Sequence, residues 1–488
     1  MRILIATPEA IPYAKTGGLA DVTGTLCKEF NKMGHEAYLI LPLYKKIKNA
    51  NPQINNKGIN IRVPLGERTI NATIFNDAKT YFISCDEFFD RDELYGTPDG
   101  DYADNARRFI FFSKGIIEAC KALQLKPDII HCNDWQTALV PLYLKQLYKD
   151  DKFFKNTATL LTIHNMGYQG NFPASEMPLI SLGWNLFTPD GIEFYGNVNF
   201  LKAGIISADI LNTVSKTYSR EILTKEHGFR LEGVLRTRTD DLFGIINGID
   251  YDEWNPSNDK FIPVNYNYND FSGKAICKKE LIKLLFKSSE QKDIQAPLLG
   301  MVGRLSEQKG LDIILDSADE LLSFPIKLVI LGKGDERFHS KLLEMANRYK
   351  EKVSITIGFE ESLAHMIYAG ADFFLMPSKY EPCGLGQLIA FRYGSIPVAR
   401  KTGGLADTIK DYDPLNVTGT GFLFTDYTSS AFLDSLKRAF CIYTDKDKMN
   451  RIIREGMKMD FSWRKSAEEY LTIYKNALKK RGDRSLYN

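Results

Sequence analysis

No apolar run in this chain approaches the ~20 residues that cross a bilayer as a helix, so a helical membrane protein is excluded. An excess of one charge is missing too. The 63 Lys and Arg stand against 61 Asp and Glu, a net charge of +2, which gives no general pull toward nucleic acid or a membrane surface. Cysteine is sparse and unpatterned: Cys27, Cys85, Cys120, Cys132, Cys277, Cys383 and Cys441 are odd in number and nowhere spaced Cys-x-x-Cys. That argues against a disulfide framework or a zinc site and for a reducing compartment. The opening Met-Arg-Ile-Leu-Ile-Ala is apolar over too few residues for a signal peptide. The expectation is a soluble, cytoplasmic protein.

A chain of 488 residues has room for two or three domains, each with a sizeable core. Its most informative stretch is 376–408. Residues 372–376 are a short apolar run of the buried parallel-strand kind, and Pro377, Ser378 and Pro382 break it. Glu381 follows in a loop, just ahead of Gly384 and an apolar helix over 385–391. A helix start offers free backbone N–H groups and partial positive charge, so anions bind there. Beside such a site, Glu381 either holds the hydroxyls of a sugar attached to the anion or stabilises the helix dipole. The next loop carries Lys401-Thr402-Gly403-Gly404-Leu405-Ala406-Asp407, and the same seven residues occur at 15–21.

From the start, 2–7 reads as a strand, followed by a loop with Pro8, Pro12, Gly17 and Gly18, a helix over 19–33, and a strand at Glu36–Pro42. This is a Rossmann-type opening, although it lacks Gly-x-Gly-x-x-Gly, which speaks against a dinucleotide. Lys15 sits beside two glycines that let a backbone approach a ligand. Its ammonium suits a phosphate, or it is a solvated surface lysine. Residues 86–109 read as a long irregular binding loop, with Tyr95 as a sugar-stacking or acceptor-contacting residue. The Asp90/Asp92 and Asp99/Asp101 pairs in it are metal ligands or solvated acids, and the solvated reading is preferred. Asp134 and His164 follow strands at 128–132 and 159–164, on the edge where open parallel sheets bind ligands. Asn247 closes a strand at 243–249. An Asn-, Ser- and Lys-rich stretch then sets a domain boundary near 250. The expected domains are 1–250 and 251–460, with a C-terminal helical segment at 461–488 packing back toward the first. In the second half, 297–302 opens a new sheet, and Arg304 and Lys309 lie in the loop before a helix over 311–322. Two cations at a helix N-terminus oppose its dipole, which costs stability unless an anion sits there.

The Glu-Pro-Cys-Gly-Leu string at 381–385, together with Lys-Thr-Gly-Gly-Leu at 15–19, resembles bacterial and plant glycogen (starch) synthases, and the resemblance runs from Ile3 to about Tyr474. It implies an α/β protein of GT-B architecture: two Rossmann-like domains whose parallel sheets face a deep interdomain cleft that closes to act. It also implies roles. Lys15, in the loop with Gly17 and Gly18, would meet the donor phosphates, with Asp21 near the donor. Asp134 and His164 would face the transferred glucose, and Asn247 would line the cleft. Arg304 and Lys309 would clamp the diphosphate, and Phe359 would stack on adenine. Glu381 would hold glucose hydroxyls, with Cys383, Gly384 and Leu385 close to sugar and phosphate. Glu381, His164, Arg304 and Lys309 form the implied catalytic set. One departure stands out: Ile389 occupies the position where related retaining transferases carry a second glutamate, so their full catalytic scheme does not transfer.

The implied activity is transfer of glucose from ADP-glucose to the non-reducing 4-hydroxyl of an α-1,4-glucan with retention, without a metal or other cofactor. No second carboxylate presents itself as a covalent nucleophile of the glycosidase type. Front-face displacement is therefore expected, with Arg304 and Lys309 stabilising the charge that grows on ADP. Three alternatives stand beside it: a related retaining transferase using UDP-glucose, a catalytically silent glucan-binding protein, and a pyridoxal-phosphate phosphorylase. The expected partners are the nucleotide sugar and the glucan, with neither nucleic acid nor membrane.

Overall fold

The computed structural model describes residues 1–50, 54–97 and 100–486, with side chains through residue 482. The chain forms two compact units. The first comprises Met1–Val214, Ser219–Ile245 and the residues from Trp463 onward; the second comprises Ser215–Tyr218 and Ile246–Ser462. No helix among the described residues is long and apolar enough to cross a membrane.

The first unit is built on a nine-stranded sheet. Its strands are β1 (Arg2–Ala6), β2 (Glu36–Pro42), β3 (Asn55–Leu65), β4 (Arg68–Asp77), β5 (Thr80–Ser84), β6 (Ile129–Asn133), β7 (Ala158–Ile163), β8 (Ile210–Thr213) and β9 (Leu242–Gly244). They lie in the order β9-β8-β7-β6-β1-β2-β5-β4-β3. From β9 to β5 every pairing is parallel. Ile3, Leu4 and Ile5 of β1, Ile129 and Ile130 of β6, and Leu160 and Leu161 of β7 are all fully buried. Such continuous apolar runs are what a strand covered on both faces requires. The edge departs from the expected parallel sheet: β3 and β4 form an antiparallel hairpin, and β4 pairs antiparallel with β5. There Ile61, Val63, Leu65, Ile70, Ala72 and Ile74 are buried while the intervening Arg62, Pro64 and Asn71 are exposed. That is the period-two pattern of a strand covered on one face.

The second unit carries a six-stranded sheet of β10 (Leu298–Val302), β11 (Lys327–Gly332), β12 (Val353–Ile357), β13 (Phe373–Met376), β14 (Ile396–Arg400) and β15 (Phe422–Phe424). The order is β12-β11-β10-β13-β14-β15, parallel throughout. This is the Rossmann arrangement, whose ligand crevice opens beyond the strand C-termini where the order reverses. In the second sheet that point lies after β10 and β13, which places 303–310 and 377–385 there. In the first sheet it lies after β1 and β6, which places 7–17 and Asp134 there.

The helices that matter for the site are α1 (Gly18–Lys32), α2 (Asn105–Ala122), α3 (Leu311–Asp316), α4 (Gly386–Arg392), α5 (Gly403–Thr408) and α6 (Trp463–Leu486). Both copies of the glycine string therefore lead from a strand into a helix. The stretch 86–109 is less irregular than expected, with a helical turn at Asp86–Phe89, a short ladder pairing Gly96–Thr97 with Gly100–Asp101, and the first turn of α2. Asp99 lies outside the described residues. The helix expected over 311–322 breaks at Ser317, whose hydroxyl bonds back to the Ile313 carbonyl at 2.7 Å, a bond that competes with regular helix geometry. The strand expected at 243–249 ends at Gly244, so Asn247 lies beyond it, in the second unit. Along α6, Trp463, Ala467, Tyr470, Tyr474 and Ala477 are buried on one face. Tyr474 meets His131 Nδ1 at 2.8 Å, and Tyr470 accepts the Asn212 amide at 3.1 Å, fixing this last helix to the first sheet.

Candidate functional site

In the first unit the loop between β1 and α1 is organised by Glu9, a residue that no motif in the sequence singles out. Its carboxylate is 4% exposed. Oε2 accepts the N–H groups of Thr16 (2.5 Å) and Gly17 (3.3 Å), and Oε1 accepts the hydroxyls of Thr16 (2.6 Å) and Tyr95 (2.7 Å). A carboxylate here satisfies free amides at the start of α1 and suits its dipole. The available signal was a lone acid between Pro8 and Pro12, directly ahead of the glycine string. Tyr95 is thus committed by its hydroxyl to Glu9, and its ring packs 6.0 Å from Phe109. The structure makes it a brace for the loop. Lys15 Nζ donates to Asp21 Oδ1 at 2.6 Å, so two residues considered separately form one ion pair. Burial pushes the Asp21 carboxyl up, and Lys15 opposes that shift. A methyl added at Gly17 would meet nothing within 4 Å, so the space above this loop is open.

Asp134 follows β6 with φ 55° and ψ −174°. This region is nearly reserved for glycine, and another residue there costs about 1–3 kcal/mol unless its surroundings hold it. Here the Asp134 N–H donates to the Thr162 carbonyl at 3.0 Å, and Asp134 Oδ1 accepts the His164 N–H at 2.7 Å. Burial pushes the Asp134 carboxyl up to about 7; the Glu9 charge adds to this, while N–H groups of His164 and Asn165 oppose it. His164 Nε2 lies 2.9 Å from Asn133 Oδ1. The Asn133 amide nitrogen already donates to the carbonyls of Ala6 and His131, so its oxygen is the acceptor and His164 carries its proton on Nε2. Burial pushes His164 down to about 3. It is therefore a neutral imidazole near pH 7 whose Nδ1 can accept a hydroxyl proton in a hydrogen bond; an imidazolium acid is ruled out there.

In the second unit Glu381 is 5% exposed, and its Oε2 accepts from Lys309 Nζ at 2.6 Å and Ser378 Oγ at 3.0 Å. Lys309 ends a single 3-10 turn, Glu307–Lys309, and Gly310 follows with φ 76°. A Cβ at Gly310 would lie 2.0 Å from the Pro377 carbonyl oxygen, so only glycine lets this turn pack against the Glu381 loop. The Lys379 N–H donates to the Gln308 carbonyl at 2.9 Å, closing the two segments together. The dipole argument for two cations accordingly gives way. The helix begins only at Leu311, beyond a left-handed residue, and the Lys309 charge is balanced by Glu381. Arg304 is exposed at the end of β10 and donates to Gln308 Oε1 at 3.3 Å. Phe359, just past β12, is 78% exposed.

The Cys383 thiol is buried and accepts the Asn247 N–H; burial pushes it up to about 12, so it packs as a neutral group. Leu385, half-buried, leads from Gly384 into α4. Three buried polar atoms in these loops have no hydrogen-bond partner among the described residues: Asn247 Oδ1, Gln387 Oε1 and Ser306 Oγ. Such orphans are rare in native proteins and call for an explanation, a ligand being one. Gln387, on the first turn of α4, was not anticipated.

The second glycine string backs this loop. The Gly404 N–H donates to the carbonyls of Glu381 (3.1 Å) and Pro382 (3.2 Å), and a Cβ at Gly403 would lie 2.0 Å from the Glu381 carbonyl oxygen. Asp407, the counterpart of Asp21, accepts the Thr217 N–H (2.9 Å) and hydroxyl (2.6 Å). One heptapeptide thus serves as an open loop in the first unit and as a buttress in the second. Of the acid pairs considered for metal, Asp92 is paired with Lys45 at 2.8 Å. Among the described residues no three His, Cys, Asp or Glu side chains converge as a metal-ligand cluster.

Residues 2–237 match the starch synthase catalytic domain, and residues 284–459 match the glycosyl transferases group 1. The chain is 46% identical over 499 residues to a glycogen synthase of Thermodesulfovibrio yellowstonii, covering 99% of each chain. It is 46% identical over 486 residues to a glycogen synthase of Geotalea daltonii, covering 99% of this chain and 100% of that one. Among solved structures it is similar to the catalytic domain of starch synthase IV from Arabidopsis thaliana bound to ADP and acarbose, with TM-score 0.89 and 34% identity over 98% of this chain and 99% of that one. A sucrose-phosphate synthase from Thermosynechococcus elongatus, at TM-score 0.61 and 16% identity over 97% of this chain and 98% of that one, shares the fold.

Proposed function

Because the chain belongs to the glycogen and starch synthase family of two-domain glycosyltransferases, we propose that it transfers glucose from ADP-glucose to the non-reducing 4-hydroxyl of an α-1,4-glucan, with retention. The observation that carries this reading is the buried Glu381–Lys309 pair at the reversal point of the second sheet. Oε2 of Glu381 is taken by Lys309 and Ser378, which leaves Oε1 to accept a glucose hydroxyl. The Arabidopsis relative was solved with ADP, which supports an adenine nucleotide as leaving group.

In the proposed reaction ADP departs from the face on which the acceptor hydroxyl attacks, and a phosphate oxygen takes the hydroxyl proton. Arg304 and Lys309 stabilise charge growing on the diphosphate, the part a metal ion plays elsewhere. The first-unit residues contribute acceptors: neutral His164 at Nδ1 and the Asp134 carboxyl. Lys15 assists the donor phosphates. Phe359 supplies a flat face to the base, and stacking tolerates any base, so preference for ADP arises elsewhere. We infer that no metal or other cofactor is needed and that the protein works in the cytoplasm.

The test is nucleotide release from ADP-glucose and from UDP-glucose with glycogen as acceptor, using the native protein and Glu381→Gln. ADP-glucose should be the better donor. Glu381→Gln should lower kcat by about 100- to 1000-fold while ADP affinity stays within about threefold. Near-normal turnover by the variant would remove Glu381 from the reaction, and equal use of UDP-glucose would remove the donor assignment.

A further inference from the structure

Outside the residues considered so far, the first unit displays aromatic rings to water on a strained backbone. Strands at Glu193–Phe194 and Asn197–Asn199 pair antiparallel, and the turn between them is Tyr195-Gly196, with φ 51° and 81°. Two positive φ values in a two-residue hairpin define the type I′ turn, for which Asn-Gly is the favoured filling. A tyrosine there gives up stability that asparagine would keep. Its ring is nonetheless 69% exposed, so burial does not repay the strain. The neighbouring segment repeats the pattern: Phe229 (φ 49°) and Arg230 (φ 69°) are also left-handed. The Arg230 guanidinium sits 5.3 Å from the Tyr195 ring centroid, and Phe194 meets that ring edge-on at 4.9 Å. The cation lies over the Tyr195 ring and holds it in place, and most of the residue is open to solvent.

This patch is joined to the His164 loop. Gln169 donates through Nε2 to the Phe229 carbonyl at 3.0 Å and accepts the Asn199 amide at 2.8 Å. Tyr168, beside it, is 52% exposed. The loop that begins at His164, the hairpin and 229–230 are therefore one hydrogen-bonded block. Strain that persists at bulky exposed residues marks function more often than packing. A flat apolar face rimmed by guanidinium N–H groups matches the chemistry of a pyranose, which has a C–H face and a hydroxyl edge.

We propose that Tyr195, held by Arg230 and continued by Phe229 and Tyr168, is a stacking platform for the acceptor α-glucan at sugar units away from the reacting end. The proposal rests on the acceptor reading given above. It is tested with the full-length protein by electrophoresis through gels containing glycogen and by steady-state kinetics with glycogen and with maltose. Tyr195→Asn suits the turn and removes the ring; Tyr195→Phe keeps the ring. Tyr195→Asn should unfold at the native temperature or above, weaken retardation by glycogen, and raise the KM for glycogen about tenfold. The KM for ADP-glucose should not move, the effect with maltose should be smaller, and Tyr195→Phe should behave as native. Unchanged glycogen retardation in Tyr195→Asn overturns the platform, as does an equal loss with maltose or in Tyr195→Phe. The gel needs no turnover, so a native protein that glycogen retards but that leaves ADP-glucose intact would refute the donor reading and spare the platform.

Discussion

Replacing Asp134 by asparagine should make the protein gain stability with rising pH relative to the native chain. Burial lifts the Asp134 carboxyl from 3.8 to about 7 in the folded state. Between those values the folded protein holds a proton that the unfolded chain has released, so raising the pH favours unfolding. The unfavourable contribution is absent below pH 3.8 and complete above pH 7. Each pH step of one across that window costs about 1.4 kcal/mol, so the change between about pH 4.5 and pH 8 amounts to about 3 kcal/mol. The substituted asparagine cannot titrate, yet its amide oxygen can still accept the His164 N–H that Asp134 Oδ1 accepts at 2.7 Å, and asparagine tolerates positive φ. Any bond lost by the substitution is lost equally at both pH values, so the quantity to read is the change in ΔΔG between them. Urea unfolding followed by tryptophan fluorescence suits the purpose, since Trp135 is the next residue along the chain. Relative to native, the variant should gain about 3 kcal/mol on going to the higher pH, whatever its starting offset. A ΔΔG that is the same at both pH values would show Asp134 ionised throughout, and the desolvation argument would fall with it.

The two glycine strings should respond oppositely to the same change. Gly17→Ala, with open space around it, should leave unfolding within about 0.5 kcal/mol of native, whereas Gly403→Ala, driven into the Glu381 carbonyl, should lose about 3 kcal/mol or more; urea titrations with equal midpoints would refute this. Glu9→Gln leaves one oxygen for the Thr16 and Gly17 amides, turns an NH2 toward the Thr16 and Tyr95 hydroxyls and removes the charge from these bonds; it should cost about 1–3 kcal/mol. It should also lower kcat/KM, with calorimetric ADP affinity unchanged. Arg304→Ala should weaken ADP binding about ten- to a hundredfold, while Lys15→Ala should keep ADP affinity and lose kcat/KM for ADP-glucose; equal affinity losses in both titrations would end that division of labour.

The parallel strands were legible because runs such as Ile3–Ile5 and 129–132 leave little choice but burial on both faces. The β3–β4 hairpin was as legible by alternation but was not read. What no local pattern reveals is which distant residue satisfies a charge. Lys309 looked like an uncompensated cation because its partner, Glu381, lies 72 residues on. Tyr95 looked available to a ligand because Glu9 lies 86 residues back. The heptapeptide repeat announced two strand-to-helix loops correctly, but its two roles depend on what packs against each copy, and that is a property of the fold.

The placement of α6 has a consequence for how the chain is made. Its Tyr470 and Tyr474 hydrogen-bond to Asn212 and His131 in the first sheet, yet the ribosome must first synthesise Ile246–Ser462, the bulk of the second unit. At ~5–20 residues per second the nascent first unit waits about ten to forty seconds for its own last helix. Through that interval the docking face of α6, including Phe30, whose ring packs 5.5 Å from Tyr474, stands without its cover. The unit translated first is therefore the one finished last, and during synthesis its exposed groove is where a holding chaperone would find purchase.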